Sequence, residues 1–392
     1  MKKKIAILGS TGSIGQASLK IIQKNLKEFN IFLLSANSNY KLINNQIKKY
    51  RPKIFVVNDP KIFKLVKKKY KNKRIKIYNK FSEIPSFKTK LDITISSIVG
   101  IAGLEPTIQF IKKSKKILLA NKETVICGWH IIKNLCRKNK TKVIPIDSEH
   151  FSIDQLTKNF KDKDIEKIYI TASGGPFLNR SLKSFKNIKV KDAIKHPKWK
   201  MGKKISIDSS NLMNKVLELI EAYKLFPFHP NKYEIVVHPQ SLIHAIVIFK
   251  NGQTKFLHHE TDMRIPIANA IYENNLDIHK VIESKKDVLK NFEKLKFQKV
   301  DKKRFPIVTL LSKFFEKSSG PIILNASNEV LVDQFIKGRI SFKSIYLYLK
   351  AVLGHKDFKK YAIKRSPGIT DIYKIDSWAR GKTIEIIEKR NR

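Results

Sequence analysis

The chain is nearly without cysteine: Cys127 and Cys136 are the only two in 392 residues. Two thiols cannot staple a chain of this length, which excludes a disulfide scaffold, and they cannot form a zinc site alone. A reduced, cytoplasmic setting is the expectation. Long apolar runs are also missing, and none approaches the roughly 18 residues of a membrane span. The opening lysines followed by Ile5–Leu8 resemble the start of a leader, but the apolar stretch stops at Gly9 after four residues.

Acid is scarce. Against 80 Lys and Arg stand 33 Asp and Glu, which leaves a formal charge of +47. Such a surplus raises the reading of a nucleic-acid-associated protein, because polycations condense on phosphate. Arginine is scarce too, at 11 of the 80 basic residues, and arginine's planar fork is what reads base edges and grips phosphates. The lysines alternate with apolar residues throughout, as at Lys158-Asn159-Phe160-Lys161, rather than gathering in one basic arm. The charge reads as compositional drift over solvated faces, with no specific nucleic-acid or membrane partner expected.

What is present is a core-forming pattern. At 42% hydrophobic residues a wholly disordered chain is excluded. Strand-length apolar runs at Lys4–Leu8, Ile31–Ser35, Lys53–Val57, Leu91–Ile98, Lys116–Leu119 and Lys142–Ile146 are interleaved with helical patterns such as Ser13–Lys24. That alternation predicts an α/β fold, a doubly wound, mostly parallel sheet of Rossmann-like type over residues 1–147. From 148 to 275 the texture predicts an α+β catalytic domain. Its strands are Ile165–Thr171, Ile205–Ile207, Glu234–Val237 and Ile243–Phe249, with a helix over Asn211–Leu225 and a two-residue hairpin at Asn251-Gly252. Residues 276–305 read as a linker, and 306–392 as a small C-terminal helical domain.

Three motifs carry chemistry. Gly9-Ser10-Thr11-Gly12-Ser13-Ile14-Gly15 follows the first strand and opens a helix, the place where backbone amides cradle a pyrophosphate. In Pro145-Ile146-Asp147-Ser148-Glu149-His150, two carboxylates at i and i+2 at the end of a parallel strand point the same way in extended backbone. Their hard oxygens suit Mg²⁺ or Mn²⁺ better than zinc. In Asp208-Ser209-Ser210-Asn211, the first three residues are competent helix N-caps. Asn211, Asn214, Lys215 and Glu218 then fall on one stripe of the helix behind them, read as a pocket wall rather than a surface ion pair. Ser173-Gly174-Gly175 ends a strand in a potential anion nest, Asn121-Lys122-Glu123 follows another strand, and His196-Pro197-Lys198-Trp199-Lys200-Met201-Gly202 reads as a mobile loop.

Taken in order with HPQSLIH at 238–244 and DMRIPIA at 262–268, these motifs resemble the 1-deoxy-D-xylulose 5-phosphate reductoisomerase family, from the first strand into the C-terminal helical region. The resemblance implies an NADPH- and divalent-metal-dependent enzyme (Mg²⁺ or Mn²⁺, with Co²⁺ a third option). Its reaction rearranges 1-deoxy-D-xylulose 5-phosphate, a phosphorylated sugar, and reduces it to 2-C-methyl-D-erythritol 4-phosphate on a route to isoprenoid precursors. It implies a homodimer, with Asp147, Glu149 and Glu218 as metal ligands. It places the phosphate on Ser173, Ser209, Asn214 and Lys215, and further substrate contacts on Lys122, Ser148, Glu149, His196 and Glu218. Lys122, Glu149, His196 and Lys215 carry catalysis, and Trp199 and Met201 the flap. Cofactor contacts fall on Thr11, Gly12, Ser13, Ile14, Asn37, Ser38, Asn39, Asn121, Glu123 and Gly202. Two stretches depart from the family pattern. Ser38 stands where a basic residue commonly meets the 2′-phosphate of NADPH, with Lys41 the nearest substitute, and His259 and Thr261 stand where Gly and Pro are usual.

Overall fold

The computed structural model describes residues 2–87, 89–199, 201–273, 275–282, 288–313, 319–362 and 366–391. Positions 283–287 of the expected linker and Lys200 of the expected flap lie outside the described residues.

In chain order the elements begin with β1 (Lys3–Leu8), α1 (Ser13–Gln23), β2 (Phe29–Ala36), α2 (Tyr40–Tyr50), β3 (Ile54–Val57), α3 (Pro60–Lys69) and β4 (Lys76–Tyr78). They continue through β5 (Leu91–Ser96), α4 (Leu104–Ile111), β6 (Ser114–Leu119), α5 (Lys122–Asn139), β7 (Lys142–Pro145) and α6 (Ser148–Thr157). Next come β8 (Ile165–Ala172), α7 (Val190–Ala193), α8 (Lys203–Ser210), α9 (Met213–Leu225), β9 (Tyr233–Val237), β10 (Ile243–Phe249) and β11 (Thr254–His258). The remainder is α10 (Arg264–Tyr272), α11 (Val288–Phe292), β12 (Gln298–Lys299), α12 (Gly320–Ile336), α13 (Phe342–Leu353), α14 (Phe358–Ala362) and α15 (Ile369–Asn391).

The chain divides into two compact units. The first comprises Met1–Thr124, His130–Phe151 and Met263–Lys285, and the second Val125–Trp129, Ser152–Asp262 and Lys286–Arg392. The first unit holds a seven-stranded sheet of order β4-β3-β2-β1-β5-β6-β7, parallel at each pairing. Ile5–Leu8 of β1 are wholly buried, as a central strand covered on both faces requires. The chain winds outward from β1 to β4, then returns to β5 on β1's other side. That reversal creates the crevice at the carboxyl ends of β1 and β5, where doubly wound sheets bind ligands. The short edge strand β4 carries too few apolar residues to be legible beforehand.

Residues Met263–Lys285, which the sequence pattern assigns to the central region and the linker, belong to the first unit. The reason is apolar burial. Ile267, Ala270 and Ile271 of α10 enter the same core as Ile5, Phe29 and Leu118, and Tyr272 sets its ring edge-on to Phe29 at 5.3 Å.

The second unit is built on a five-stranded sheet of order β11-β10-β8-β9-β12. It is mixed, because β8 and β9 pair in parallel while the other pairings are antiparallel. The hairpin at Asn251-Gly252 exists, but its loop has three residues. Phe249 N–H donates to Gln253 O at 2.9 Å, and Gly252 takes a left-handed φ of 84°. A turn followed by a left-handed glycine matches the strand twist as well as the two-residue form. The strand expected at Ile205–Ile207 is instead part of helix α8. Its alternating polarity suggested a sheet, yet Ser206, Ile207 and Asp208 are buried together against α9 and α12, and tertiary burial overrides that local pattern. Helices α12, α13 and α15 pack on one another around Ile323, Leu331, Leu349 and Ile375. Among the described residues no helix is long and apolar enough to cross a membrane.

Candidate active site

In the first unit, the glycine-rich turn lies where the sequence puts it, between β1 and α1. Gly9 is left-handed at φ 88°, and a Cβ there would stand 2.8 Å from Ser97 O on the neighbouring β5 side. A Cβ on Gly15 would collide with the Gly9 carbonyl and the Ser10 backbone, so helix and turn approach as closely as glycine permits. Ser10, read only as part of the loop, turns out to be its anchor. Its hydroxyl donates to Gln46 Oε1 at 2.6 Å, and Gln46 Nε2 returns a bond to Ser10 O at 2.9 Å. No side chain caps α1 at Gly12, which leaves the first-turn amides near Ser13 and Ile14 to an anion or to water. Thr11 lends its carbonyl to Gln16.

Asn37, Ser38 and Asn39 follow β2 and are exposed, as is Lys41. Asn39 caps α2 by accepting from Leu42 N–H at 3.1 Å. Asn121 is buried and its side chain is occupied. It accepts from Thr124 N–H at 2.7 Å and donates to Gly100 O at 2.9 Å and to Ile98 O. Glu123 and Lys122 are buried in the first turn of α5, and Lys122 Nζ lies 3.7 Å from Asp147 Oδ2.

The acidic motif does not have the extended geometry its spacing suggested. Strand β7 stops at Pro145 and α6 starts at Ser148, so Glu149 stands in the first turn of a helix. Asp147 Oδ1 accepts from Glu149 N–H at 3.2 Å, and Ser148 Oγ donates to Glu149 Oε2. A buried histidine that sequence reasoning passed over, His150, puts Nδ1 3.2 Å from Asp147 Oδ1. Its signal was its place three residues after Asp147, one helical turn on.

In the second unit, Asp208, Ser209 and Ser210 are not N-caps but the last turn of α8. Asn211 leaves the helical stripe, and its Oδ1 accepts from Met213 N–H at 2.9 Å while Leu212 takes φ 66°. This left-handed, buried leucine breaks α8 from α9, and such strain in a non-glycine residue marks a turn held by its surroundings. Past the break, Lys215 and Glu218 do share a face. Lys215 Nζ is 2.6 Å from Glu218 Oε2, Asn214 Nδ2 donates to Glu218 Oε1, and both charged side chains are under one-tenth exposed. A surface ion pair is thereby excluded.

Ser173 Oγ and His196 Nε2 are 2.9 Å apart, and Gly175 N–H donates to the same hydroxyl at 3.1 Å. His196 Nδ1 accepts from Trp199 N–H at 2.8 Å and Lys198 N–H at 3.1 Å. Burial, then the Lys215 charge, pushes the His196 pKa down to about 4. Gly202 begins α8, Met201 is half-buried, and the Trp199 ring meets His244 edge-on at 6.0 Å, with His259 stacked behind at 3.9 Å.

Family models described as 1-deoxy-D-xylulose 5-phosphate reductoisomerase and as its C-terminal domains match residues 5–128, 143–226 and 259–382. A protein of Pelagibacter ubique named 1-deoxy-D-xylulose 5-phosphate reductoisomerase is 44% identical over 96% of this chain and 97% of its own length. The chain belongs to the 1-deoxy-D-xylulose 5-phosphate reductoisomerase family. A namesake from Wolbachia of Culex pipiens is 39% identical over 99% of this chain and 98% of its own. Among solved structures, a reductoisomerase in complex with NADPH, fosmidomycin and magnesium superposes with a TM-score of 0.90, at 31% identity over 100% of this chain and 99% of that one. The Zymomonas mobilis reductoisomerase in complex with NADPH gives 0.86 at 31% identity, covering 99% of this chain and 100% of that one. These reductoisomerase matches extend over both units and lend no support to a nucleic-acid-associated protein.

Proposed function

We propose that this chain converts 1-deoxy-D-xylulose 5-phosphate to 2-C-methyl-D-erythritol 4-phosphate with NADPH and a divalent cation, Mg²⁺ or Mn²⁺. The observation that carries the reading is the buried Lys215 ammonium, set on one helix with Asn214 and Glu218 and close enough to His196 to depress its pKa. An ammonium among neutral donors is a phosphate-binding set.

The residues suit both absent groups. Asp147, Glu149 and Glu218 offer the hard oxygen donors that Mg²⁺ or Mn²⁺ takes. The uncapped N-terminus of α1, with Thr11, Gly12, Ser13 and Ile14, suits a pyrophosphate. Asn37, Ser38, Asn39, Asn121, Glu123 and Gly202 complete the cofactor set, Asn121 through its backbone because its side chain is spent on Thr124 and Gly100. When bound, NADPH supplies a hydride and the cation polarises the substrate's ketone and neighbouring hydroxyl oxygen.

Each side chain then has a task. His196 is neutral and its Nδ1 accepts two amide protons, so Nε2 carries the hydrogen and donates to Ser173 Oγ. Ser173 Oγ already accepts from Gly175 as well, so its own proton is directed to a phosphate oxygen. Ser209, Asn214 and Lys215 bind the same group, and Ser148 orients the substrate hydroxyls. Lys122 and Glu149 exchange protons with the reacting oxygens. Trp199 and Met201 cover the substrate and exclude water. The protein acts as a cytoplasmic homodimer and, like the solved relative in complex with it, binds fosmidomycin.

The deciding experiment follows NADPH absorbance with the sugar phosphate and Mn²⁺, beside a chelator control and Glu218→Gln. Consumption abolished in both controls supports the reading. Folded protein that consumes no NADPH refutes it.

A further inference from the structure

Helix α12 carries buried polar groups that the reaction does not use. Asn325, Ser327 and Asn328 are all inaccessible to solvent. Burying amides in a helix core is unfavourable unless they are bonded, so each bond they make is informative. Asn328 Nδ2 donates to Asp208 Oδ1 at 2.9 Å, across 120 residues of sequence and with both groups buried. A carboxylate only accepts, so chemistry fixes which way the Asn328 amide points. The other Asp208 oxygen lies 2.9 Å from Lys204 Nζ, one turn back along α8.

Asp208 immediately precedes Ser209. The Ser173–Phe177 loop also packs on the same turn: a Cβ on Gly175 would stand 2.8 Å from Ser209 O, and Gly175 is left-handed at φ 64°. The end of α8 is thus held by two contacts, Asn328 at the Asp208 side chain and Gly175 at the Ser209–Ser210 backbone. Beyond it the chain passes through the strained Leu212 turn directly into Asn214 and Lys215.

We propose that the Asn328–Asp208 bond is a positioning device for the phosphate subsite, with α12 setting the place of Ser209, Asn214 and Lys215. This rests on reading those three residues as phosphate donors. Neither Asn328 nor Asp208 touches substrate; both act through the α8 end.

The test uses the full-length enzyme with Asp208→Asn, Asn328→Ser, and the exchange Asp208→Asn with Asn328→Asp, which keeps one amide and one carboxylate in contact. Two quantities are read: KM against kcat for the sugar phosphate, and competitive inhibition by inorganic phosphate. Each single substitution is expected to raise KM about tenfold and to weaken phosphate inhibition by the same factor, with kcat within about twofold. The exchange is expected to restore most of both. A lowered melting temperature with unchanged KM and phosphate inhibition would show a merely structural contact and overturn the proposal, as would loss of kcat alone. Protection of the protein by inorganic phosphate against heat reports on the subsite without turnover. Wild-type protein that is protected by phosphate but inactive therefore counts against the reaction, and equal protection of wild type and single variants counts against the positioning role.

Discussion

Ser173 Oγ sits 2.9 Å from His196 Nε2 in a histidine whose other nitrogen is already satisfied by two backbone amides. This leaves no place for a second ring proton, and burial with the Lys215 charge acts in the same direction, holding the pKa near 4. The first prediction concerns pH. His196 should show no titration by NMR between pH 8 and about pH 5, where an ordinary histidine near 6.5 would. Because its folded-state pKa is depressed, its stabilising contribution is complete above the unfolded value and is lost as pH falls toward 4. His259, also brought to about 4 chiefly by burial, adds to the same window. Denaturant midpoints should decline from pH 7 to pH 4.5, and a His196 signal that titrates near 6.5 would refute the neutral assignment.

A second prediction separates stability from activity at the buried pair. Lys215→Ala takes the ammonium away from the buried Glu218 carboxylate, leaving its charge unneutralised there, and should cost about 3 kcal/mol by urea unfolding. Lys215→Met combined with Glu218→Gln removes both charges and should recover most of that loss. The double variant should stay inactive, since its phosphate cation and one candidate metal ligand are gone. Activity regained along with stability would remove both residues from the site.

How much of this was legible beforehand depended on whether local pattern and tertiary burial agreed. Strands β1, β2, β3, β5 and β6 and the Gly9–Gly15 turn were readable because a central parallel strand must be apolar on both faces, and the edge strand β7 because its Val143-Ile144 pair runs on to Ile146. The metal-ligand reading of Asp147 and Glu149 rested on residue type, and it missed Glu149's helical setting, since a two-residue spacing cannot tell the end of a strand from the start of a helix. Ile205–Ile207 misled because alternation is a statement about exposure, and α8 is covered nearly all round. The Ser173–His196 bond and the Asn328–Asp208 bond join residues 23 and 120 apart, and no periodicity encodes such contacts.

The third prediction tests the Gly9–Gly15 turn, proposed as the pyrophosphate cradle. Gly15→Ala places a Cβ against backbone that cannot move aside, whereas at Gly12 the nearest such atom is Gly9 O at an ordinary 3.4 Å. Gly15→Ala should lower stability by about 1–3 kcal/mol and weaken NADPH binding in a fluorescence titration. Gly12→Ala should retain wild-type stability. Equal melting temperatures for the two variants would contradict the close-approach argument.

A fourth prediction follows from the charge. At +47, like charges repel across every solvated face, and this repulsion is screened as the Debye length falls. The melting temperature should rise as sodium chloride is raised from about 20 mM to about 300 mM, where the screening length drops several-fold. A melting temperature independent of salt would mean the lysines are too dispersed to strain the fold.

The last prediction concerns cofactor choice. Ser38 is exposed at the end of β2, Asn39 beside it spends its side-chain oxygen on capping α2, and Lys41 is the nearest exposed cation. A hydroxyl can donate one hydrogen bond to a 2′-phosphate, while a guanidinium donates two and carries charge. Ser38→Arg should therefore raise the NADPH-over-NADH ratio of kcat/KM by about tenfold, with the gain shrinking at high salt. Lys41→Ala should lower that ratio by acting on NADPH alone. A ratio that neither change moves would place the 2′-phosphate away from the Ser38–Lys41 loop, and the discrimination would have to be sought in the adjoining residues after β3, around Asn58.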